Sequence, residues 1–151
     1  MTDFAIRPLR TSDEVGWRRL WNSYLDFYGS SASEAVYATT FARLLGDDPW
    51  MPSAFVAAAA EEDGGRLVGL VHYLYHAHCW REERVCYLQD LFADPESRGT
   101  GVGRALIEAV YEQADRDGAP SVYWLTQDHN AQARQLYDRI GTATPFIKYV
   151  R

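Results

Sequence analysis

The segment Leu91-Phe92-Ala93-Asp94-Pro95-Glu96-Ser97-Arg98-Gly99-Thr100-Gly101-Val102-Gly103-Arg104-Ala105-Leu106 carries the clearest chemistry in the chain. An apolar run leads into an Asp-Pro turn, alternating glycines and the start of a periodic helix. A helix start leaves its first backbone N–H groups without intrahelical partners and holds the positive end of the helix dipole. Anions bind there. Glycines at 99, 101 and 103 let a phosphate approach the backbone without meeting a Cβ. Arg98 and Arg104 can add charge-assisted hydrogen bonds. The two common phosphate loops fail on spacing. A Walker loop puts Lys-Ser or Lys-Thr after its last glycine, where this chain has Arg104-Ala105. A dinucleotide fingerprint needs glycine or alanine where this chain has Arg104 or Leu106.

The elements around this loop are read from periodicity. Asp3 to Leu9 reads as a first strand. Thr11-x-x-Glu14 reads as a capping box, and Leu20, Trp21, Tyr24, Leu25 and Tyr28 follow on one helical face. Gly29 stops that helix. A second helix is read from Glu34 to Leu45, closed by Gly46. Ala54–Ala60 and Leu67–His76 flank Glu61-Glu62-Asp63-Gly64-Gly65 as antiparallel strands joined by a hairpin loop. Arg84 to Ala93 is a further strand. Val102, Ala105, Leu106, Ala109, Val110, Gln113 and Ala114 make the stripe of an amphipathic helix ended by Gly118 and Pro120. Ser121 to Thr126 reads as a short buried strand. Ala133, Leu136, Tyr137 and Ile140 mark a last helix, and Thr144 to Val150 a terminal strand. A right-handed crossover makes the strands on either side of the glycine-loop helix parallel neighbours or near neighbours.

Composition narrows the partners. The chain has 151 residues, 47% hydrophobic and 24% charged, with a net charge of −6. This length fits a single domain spanning residues 1–151. The acidity argues against a nonspecific grip on nucleic acid or an anionic membrane, and suits cationic small molecules. The first nine residues have no basic stretch leading into a long apolar run, so no signal peptide is read. Cys79 and Cys86, seven apart, do not have zinc-ligand spacing and are read as reduced thiols of a cytoplasmic protein. His72, His76 and His78 share one strand parity. Strand neighbours two apart splay and no carboxylate completes the set, so they are read as solvent-facing, without a metal; His72 stays a candidate proton relay.

The Arg-Gly-x-Gly-x-Gly pattern after a strand and an Asp-Pro turn closely resembles motif A of the GCN5-related N-acetyltransferases, the acetyl-CoA-dependent GNAT superfamily. Asn130-Ala131-x-Ala133-x-x-Leu136-Tyr137 resembles motif B of the same family, and Ile6-Arg7-Pro8-Leu9 with the helix after it is similar to its start. The resemblance spans essentially the whole chain. Tyr87-Leu88-Gln89-Asp90-Leu91-Phe92 is similar to a segment of the diamine acetyltransferases. Val122–Thr126 and Pro145–Tyr149 are similar to the yeast histone and D-amino-acid acetyltransferase subgroup.

The resemblance implies an α/β fold: a mixed, mostly antiparallel twisted sheet of about seven strands, about four flanking helices, and a central parallel strand pair that opens as a wedge for acetyl-CoA. It implies direct acetyl transfer to a primary amine, with acetyl-CoA as co-substrate. The acceptor it implies is a small amine such as a polyamine, diamine or amino acid; a protein lysine or N-terminus, or a silent CoA-binding module, are the alternatives. It assigns Gly99, Thr100, Gly101, Val102, Gly103 and Arg104 to the CoA pyrophosphate, with Arg98 beside them. Leu91, Phe92 and Ala93 run along the pantetheine arm. Asn130 and Ala133 sit at the second motif, where Asn130 is also a helix cap on spacing alone. Tyr137 is the candidate general acid for the departing thiolate. The diamine enzymes carry Glu where this chain has Gln89, and Gln cannot act as a base. Asp90 is then the base through a water, an anchor for the substrate ammonium, or a structural carboxylate capping nearby backbone. Gln89, Trp21, Tyr24 and Tyr28 are candidate acceptor contacts, the aromatics through cation–π attraction or simply as core. The subgroup likeness also implies a homodimer made through the C-terminal strand.

Overall fold

The computed structural model describes residues 3–63 and 65–151, so Gly64 of the expected hairpin turn lies outside the described residues. Five strands form one sheet in chain order: β1 (Phe4–Pro8), β2 (Ser53–Ala59), β3 (Leu67–His76), β4 (Val85–Ala93) and β5 (Val122–Tyr123). Neighbours are antiparallel except the parallel pair β4 and β5. Helices α1 (Glu14–Phe27) and α2 (Glu34–Leu45) lie on one face, and α3 (Val102–Arg116) and α4 (Ala131–Ile140) on the other. This is the α/β fold class read from the sequence, with five strands instead of about seven.

Two cores follow from this layering. Trp17 and Leu20 of α1 and Phe41 and Leu44 of α2 pack on Ala54, Val56 and Leu70. On the opposite face Val102, Leu106, Ile107, Val110 and Ala114 of α3 pack on Phe55, Ala57 and Val71. A sheet covered on both faces needs apolar residues at every position, which explains the unbroken buried run from Ala54 to Ala59. Fully burying a side chain such as Leu106 stabilises by roughly 1.5–3 kcal/mol. Gly69 lets α3 come close: a Cβ there would stand 2.6 Å from Val102 Cγ1 and 3.0 Å from Leu106 Cδ1.

The start of α1 departs from the expected Thr11–Glu14 capping box. Thr11–Asp13 form a single 3-10 turn, and the Asp13 carboxylate accepts the Arg10 backbone N–H at 2.8 Å. The same carboxylate takes the Arg7 guanidinium at 2.7 and 2.9 Å, which ties β1 to α1. Burial works against the Asp13 charge, but Arg7 and the Arg10 N–H outweigh it and hold its pKa below the ordinary value. The stability this pair contributes is therefore present above the unfolded-chain pKa and lost as pH falls through the lowered one.

Two strand expectations are corrected. Ser121 to Thr126 pairs only at Val122 and Tyr123, and Tyr123 and Leu125 are exposed instead of buried. Thr144 to Val150 forms no strand, and Phe146, Ile147, Tyr149 and Val150 are at least 75% exposed. β-propensity describes fit to a pleated, half-buried surface, and among the described residues the chain offers this segment none. Cys79 is exposed and Cys86 buried, both as free thiols. Burial, then Asp117, pushes the Cys86 thiol up to about 12.

Gly69→Ala should force α3 away from the sheet and destabilise the protein by about 1–3 kcal/mol. Urea denaturation measures this, and an unchanged midpoint would contradict the close approach.

Candidate active site

The anion end of the site begins where β4 stops. Asp94 is buried in the turn; it accepts the Glu96 N–H at 3.3 Å and the guanidinium groups of Arg19 and Arg66 at 3.1 and 3.2 Å. The Thr100 hydroxyl turns back to the Ser97 carbonyl, so Thr100 closes the loop from behind and does not line the cleft. Gly99 and Gly101 have φ of +79° and +90°, a conformation that only glycine adopts without strain. A Cβ on either would meet no protein atom within 4 Å. Space has been left in front of them. Gly101 also caps α3 without any side-chain acceptor, so the positive helix start faces that space unneutralised. Gly103 plays a different part, with its Cα face against Leu136 of α4.

The acceptor end depends on an irregularity in β4. His72 pairs with Asp90 and Tyr73 with Leu88, so Gln89 is an extra residue in a β-bulge. A bulge reverses which face later residues take. Before it, Cys86 and Leu88 face the α3 core; after it, even-numbered Phe92 faces the α1 core. Asp90 is turned the same way, toward α1. There Tyr24 donates its hydroxyl to Asp90 Oδ1 at 2.9 Å. His72 Nδ1 lies 3.0 Å from Asp90 Oδ2, and Trp17 Nε1 donates to His72 Nε2 at 3.0 Å. Gln89 itself is exposed and points away from the cleft wall. The pairing of β4 with β5 stops just before this bulge and covers only Cys86 and Tyr87. From Leu88 onward the two strands part, as the wedge expectation requires.

A cleft of about 490 Å³ joins the two ends. Of the residues read from the sequence, Tyr24, Tyr28, Leu91, Phe92, Ala93, Arg98, Gly99, Gly101, Val102, Gly103, Arg104, Asn130, Ala133 and Tyr137 all line it. Asp90 sits behind Tyr24. Trp21 also lies behind the wall, stacked on Tyr24 with ring centroids 4.9 Å apart. Asn130 caps α4 by accepting the Ala133 N–H at 3.4 Å while donating to Thr126 at 3.3 Å. The Arg98 guanidinium stands 6.0 Å from the Phe92 ring, and Arg104 pairs with Glu108 at 2.7 Å.

The phenols of the cleft are all pushed toward their protonated form. Burial, then Tyr28, takes Tyr137 up to about 12. Burial, then the Asp90 charge, raises Tyr24 and Tyr28. All three hydroxyls are thus proton donors at neutral pH.

Sequence reasoning missed Arg139, a third cation on the wall, together with Gln132 and Gln135. The signal was present: Gln132, Gln135, Leu136 and Arg139 share one face of α4 at helical spacing. His72 was read as solvent-facing and is only 2% exposed. Its strand neighbour two residues back, Leu70, is fully buried, which is the parity signal. His76 instead meets the Tyr123 hydroxyl at 2.8 Å. Among the described residues no three His, Cys, Asp or Glu side chains are placed to hold a metal ion.

The sequence pattern of the acetyltransferase (GNAT) family matches residues 17–142. The D-amino-acid N-acetyltransferase HPA3 of Saccharomyces cerevisiae is 37% identical over 147 residues, covering 97% of this chain and 89% of that protein. The thialysine N-epsilon-acetyltransferase of Mus musculus is 28% identical over 149 residues, covering 93% and 85%. Among solved structures, AAC(6')-Iy in complex with a CoA-S-monomethyl-acetylneamine bisubstrate analogue has the same fold, with a TM-score of 0.83 at 18% identity over 99% of this chain and 97% of that one. The chain belongs to the acetyltransferase (GNAT) family and is an N-acetyltransferase.

Proposed function

We propose that this GNAT family member transfers acetyl from acetyl-CoA directly to the primary amine of a small cationic acceptor: a polyamine, diamine or amino acid. The observation that carries this is one cleft with an uncapped, glycine-cradled helix start at one end and an Asp90-backed tyrosine at the other. The relatives act, by their names, on D-amino acids and on thialysine, which are small amines.

The residues present fit the cofactor. The backbone N–H groups from Gly99 to Arg104 hold the pyrophosphate, and Arg98, Arg104 and Arg139 supply countercharge. The parted edge of β4 at Leu91 to Ala93 offers backbone groups to the pantetheine arm, as an added strand would use them. Asn130 keeps its capping role while facing the same arm. The thioester supplies the activated acetyl group. Tyr137 holds its proton at neutral pH and gives it to the departing sulfur. The acceptor amine, whose reference pKa is about 10.4 for a lysine-like group, is bound by the faces of Tyr24 and Tyr28 and must lose a proton before attack. Asp90, through Tyr24, is its acceptor.

We also propose a homodimer in the cytoplasm. The exposed apolar run Phe146 to Val150 and the β5 edge beside exposed Tyr123 and Leu125 are matching surfaces for a second copy. The free thiols of Cys79 and Cys86 support a reducing compartment. Light scattering should give twice the chain mass, and a Phe146→Ser, Tyr149→Ser variant should give the monomer. A wild-type monomer would refute the dimer.

The function is tested by acetyl-CoA turnover, read as free thiol, with spermidine, 1,4-diaminobutane, D- and L-amino acids and a lysine peptide. Turnover with at least one small amine is expected. Activity on the peptide alone would make the acceptor a protein; CoA binding without any turnover would leave a silent binding module. Tyr137→Phe should lower kcat about 10²-fold or more with KM for acetyl-CoA nearly unchanged. Burial raises the Tyr137 pKa, so this group's contribution to kcat should persist through pH 10 and fall only near 12. Unchanged turnover would remove Tyr137 as the acid.

A further inference from the structure

A buried hydrogen-bond chain crosses from the α1 core to the cleft. Trp17, 0% exposed, donates from Nε1 to His72 Nε2 at 3.0 Å. An indole N–H donates only. His72 Nε2 is therefore an acceptor without a proton, and the ring hydrogen sits on Nδ1. From there it is donated to Asp90 Oδ2 at 3.0 Å. Asp90 Oδ1 accepts the Tyr24 hydroxyl at 2.9 Å, and Tyr24 lines the cleft. Every donor in the chain has one acceptor, and the donors converge on Asp90, Trp17 and His72 from the α1 core and Tyr24 from the cleft side. Trp17 and His72 touch no part of the cleft, so packing alone does not require this polar chain under α1.

We propose that Trp17 and His72 are positioning residues for acetyl transfer: Trp17 fixes the His72 tautomer, His72 fixes the Asp90 carboxylate, and the acceptor proton leaves through the Tyr24 hydroxyl to Asp90. This rests on the acetyltransfer reading given above. The acceptor N–H bond breaks and its proton moves to Tyr24 Oη, as the Tyr24 proton moves to Asp90 Oδ1. The freed nitrogen lone pair attacks the thioester carbonyl. The C–S bond breaks, sulfur keeps the electron pair, and Tyr137 protonates it. The nitrogen of the tetrahedral adduct gives up its second proton to water as the C–S bond breaks, which leaves a neutral amide N–H. Asp90 then releases its proton to water and Tyr137 takes one back, so two protons leave the ammonium, one ends on sulfur, and one is released net per turnover. His72 accepts nothing in this step, because Trp17 occupies Nε2 and Nδ1 already carries hydrogen. The titratable groups that face Asp90 are His72 on β3, Tyr24 on α1, Tyr28 just past its end, and Tyr87 on its own strand; Tyr137 of α4 faces Tyr24.

The test uses the full-length protein, acetyl-CoA and whichever amine of the panel turns over. Long-range ¹⁵N NMR of histidine-labelled protein, with His72→Asn identifying the signal, should show His72 protonated at Nδ1. His72→Asn keeps an N–H donor where Nδ1 stood and should keep kcat within about threefold of wild type. His72→Ala leaves Asp90 without that donor and should lower kcat on the order of 10²-fold, the size of a general-base contribution, with KM for acetyl-CoA unchanged. Tyr24→Phe cuts the path and should lose as much. A His72 signal protonated at Nε2 would overturn the proposal, as would failure of His72→Asn to exceed His72→Ala. If His72→Ala does not fold, the tautomer and the Asn and Tyr24 variants decide alone. Wild-type inactivity on every amine would instead sink the acetyltransfer reading, independently of the tautomer.

Discussion

β4 carries one residue more than β3 can pair, at Gln89, and the orientation of Asp90 follows from it. Without the bulge, the strand's alternation would turn Asp90 toward the α3 core, where no partner waits. With it, Asp90 meets His72 and Tyr24. The pairing of β4 with β5 ends at Tyr87, two residues before the bulge. One backbone irregularity therefore turns Asp90 toward α1, close to the point where the pairing of β4 with β5 ends. Tyr87 and Tyr123, stacked 4.8 Å apart, mark the last point at which the two strands hold together.

The net charge of −6 is not distributed as a simple anionic funnel. Among the described residues lining the cleft there are three arginines and no carboxylate. Two acids on the surrounding elements are engaged in ion pairs and turns: Glu34 accepts from Arg18 at 2.8 and 2.9 Å, and Asp94 holds the turn before the glycine loop. Asp90, a carboxylate just behind the cleft wall, stands behind the Tyr24 phenol. A cationic amine is then met by aromatic faces and hydroxyl oxygens, with a shielded negative charge in the second layer. Such a wall suits discrimination by shape and proton affinity more than by long-range attraction.

Much of this was legible in the chain. α2 and β3 have the bounds that capping, glycine and alternation imply, because both are long and regular. Gly99 and Gly101 stood out since positive φ and an open helix start demand glycine. The bulge was not legible: an extra residue leaves no compositional mark, although Leu88 and Leu91, three apart on one face, are its trace. His72 was misplaced because its partner Trp17 lies 55 residues away, a distance that local pattern does not span. The run Thr144 to Val150 reads as a strand from its side chains, yet a strand is completed by a neighbour, and no strand among the described residues pairs with it.

The central claim is that one cleft holds the CoA pyrophosphate at the α3 start and presents the acceptor nitrogen to Tyr24. A crystal structure with a conjugate joining CoA to a turned-over amine through an acetyl bridge tests it most directly. The pyrophosphate is expected against the backbone of Gly99 to Arg104, and the acceptor nitrogen roughly 3 Å from Tyr24 Oη. A conjugate bound with its pyrophosphate elsewhere, or with its nitrogen out of reach of Tyr24, would contradict it.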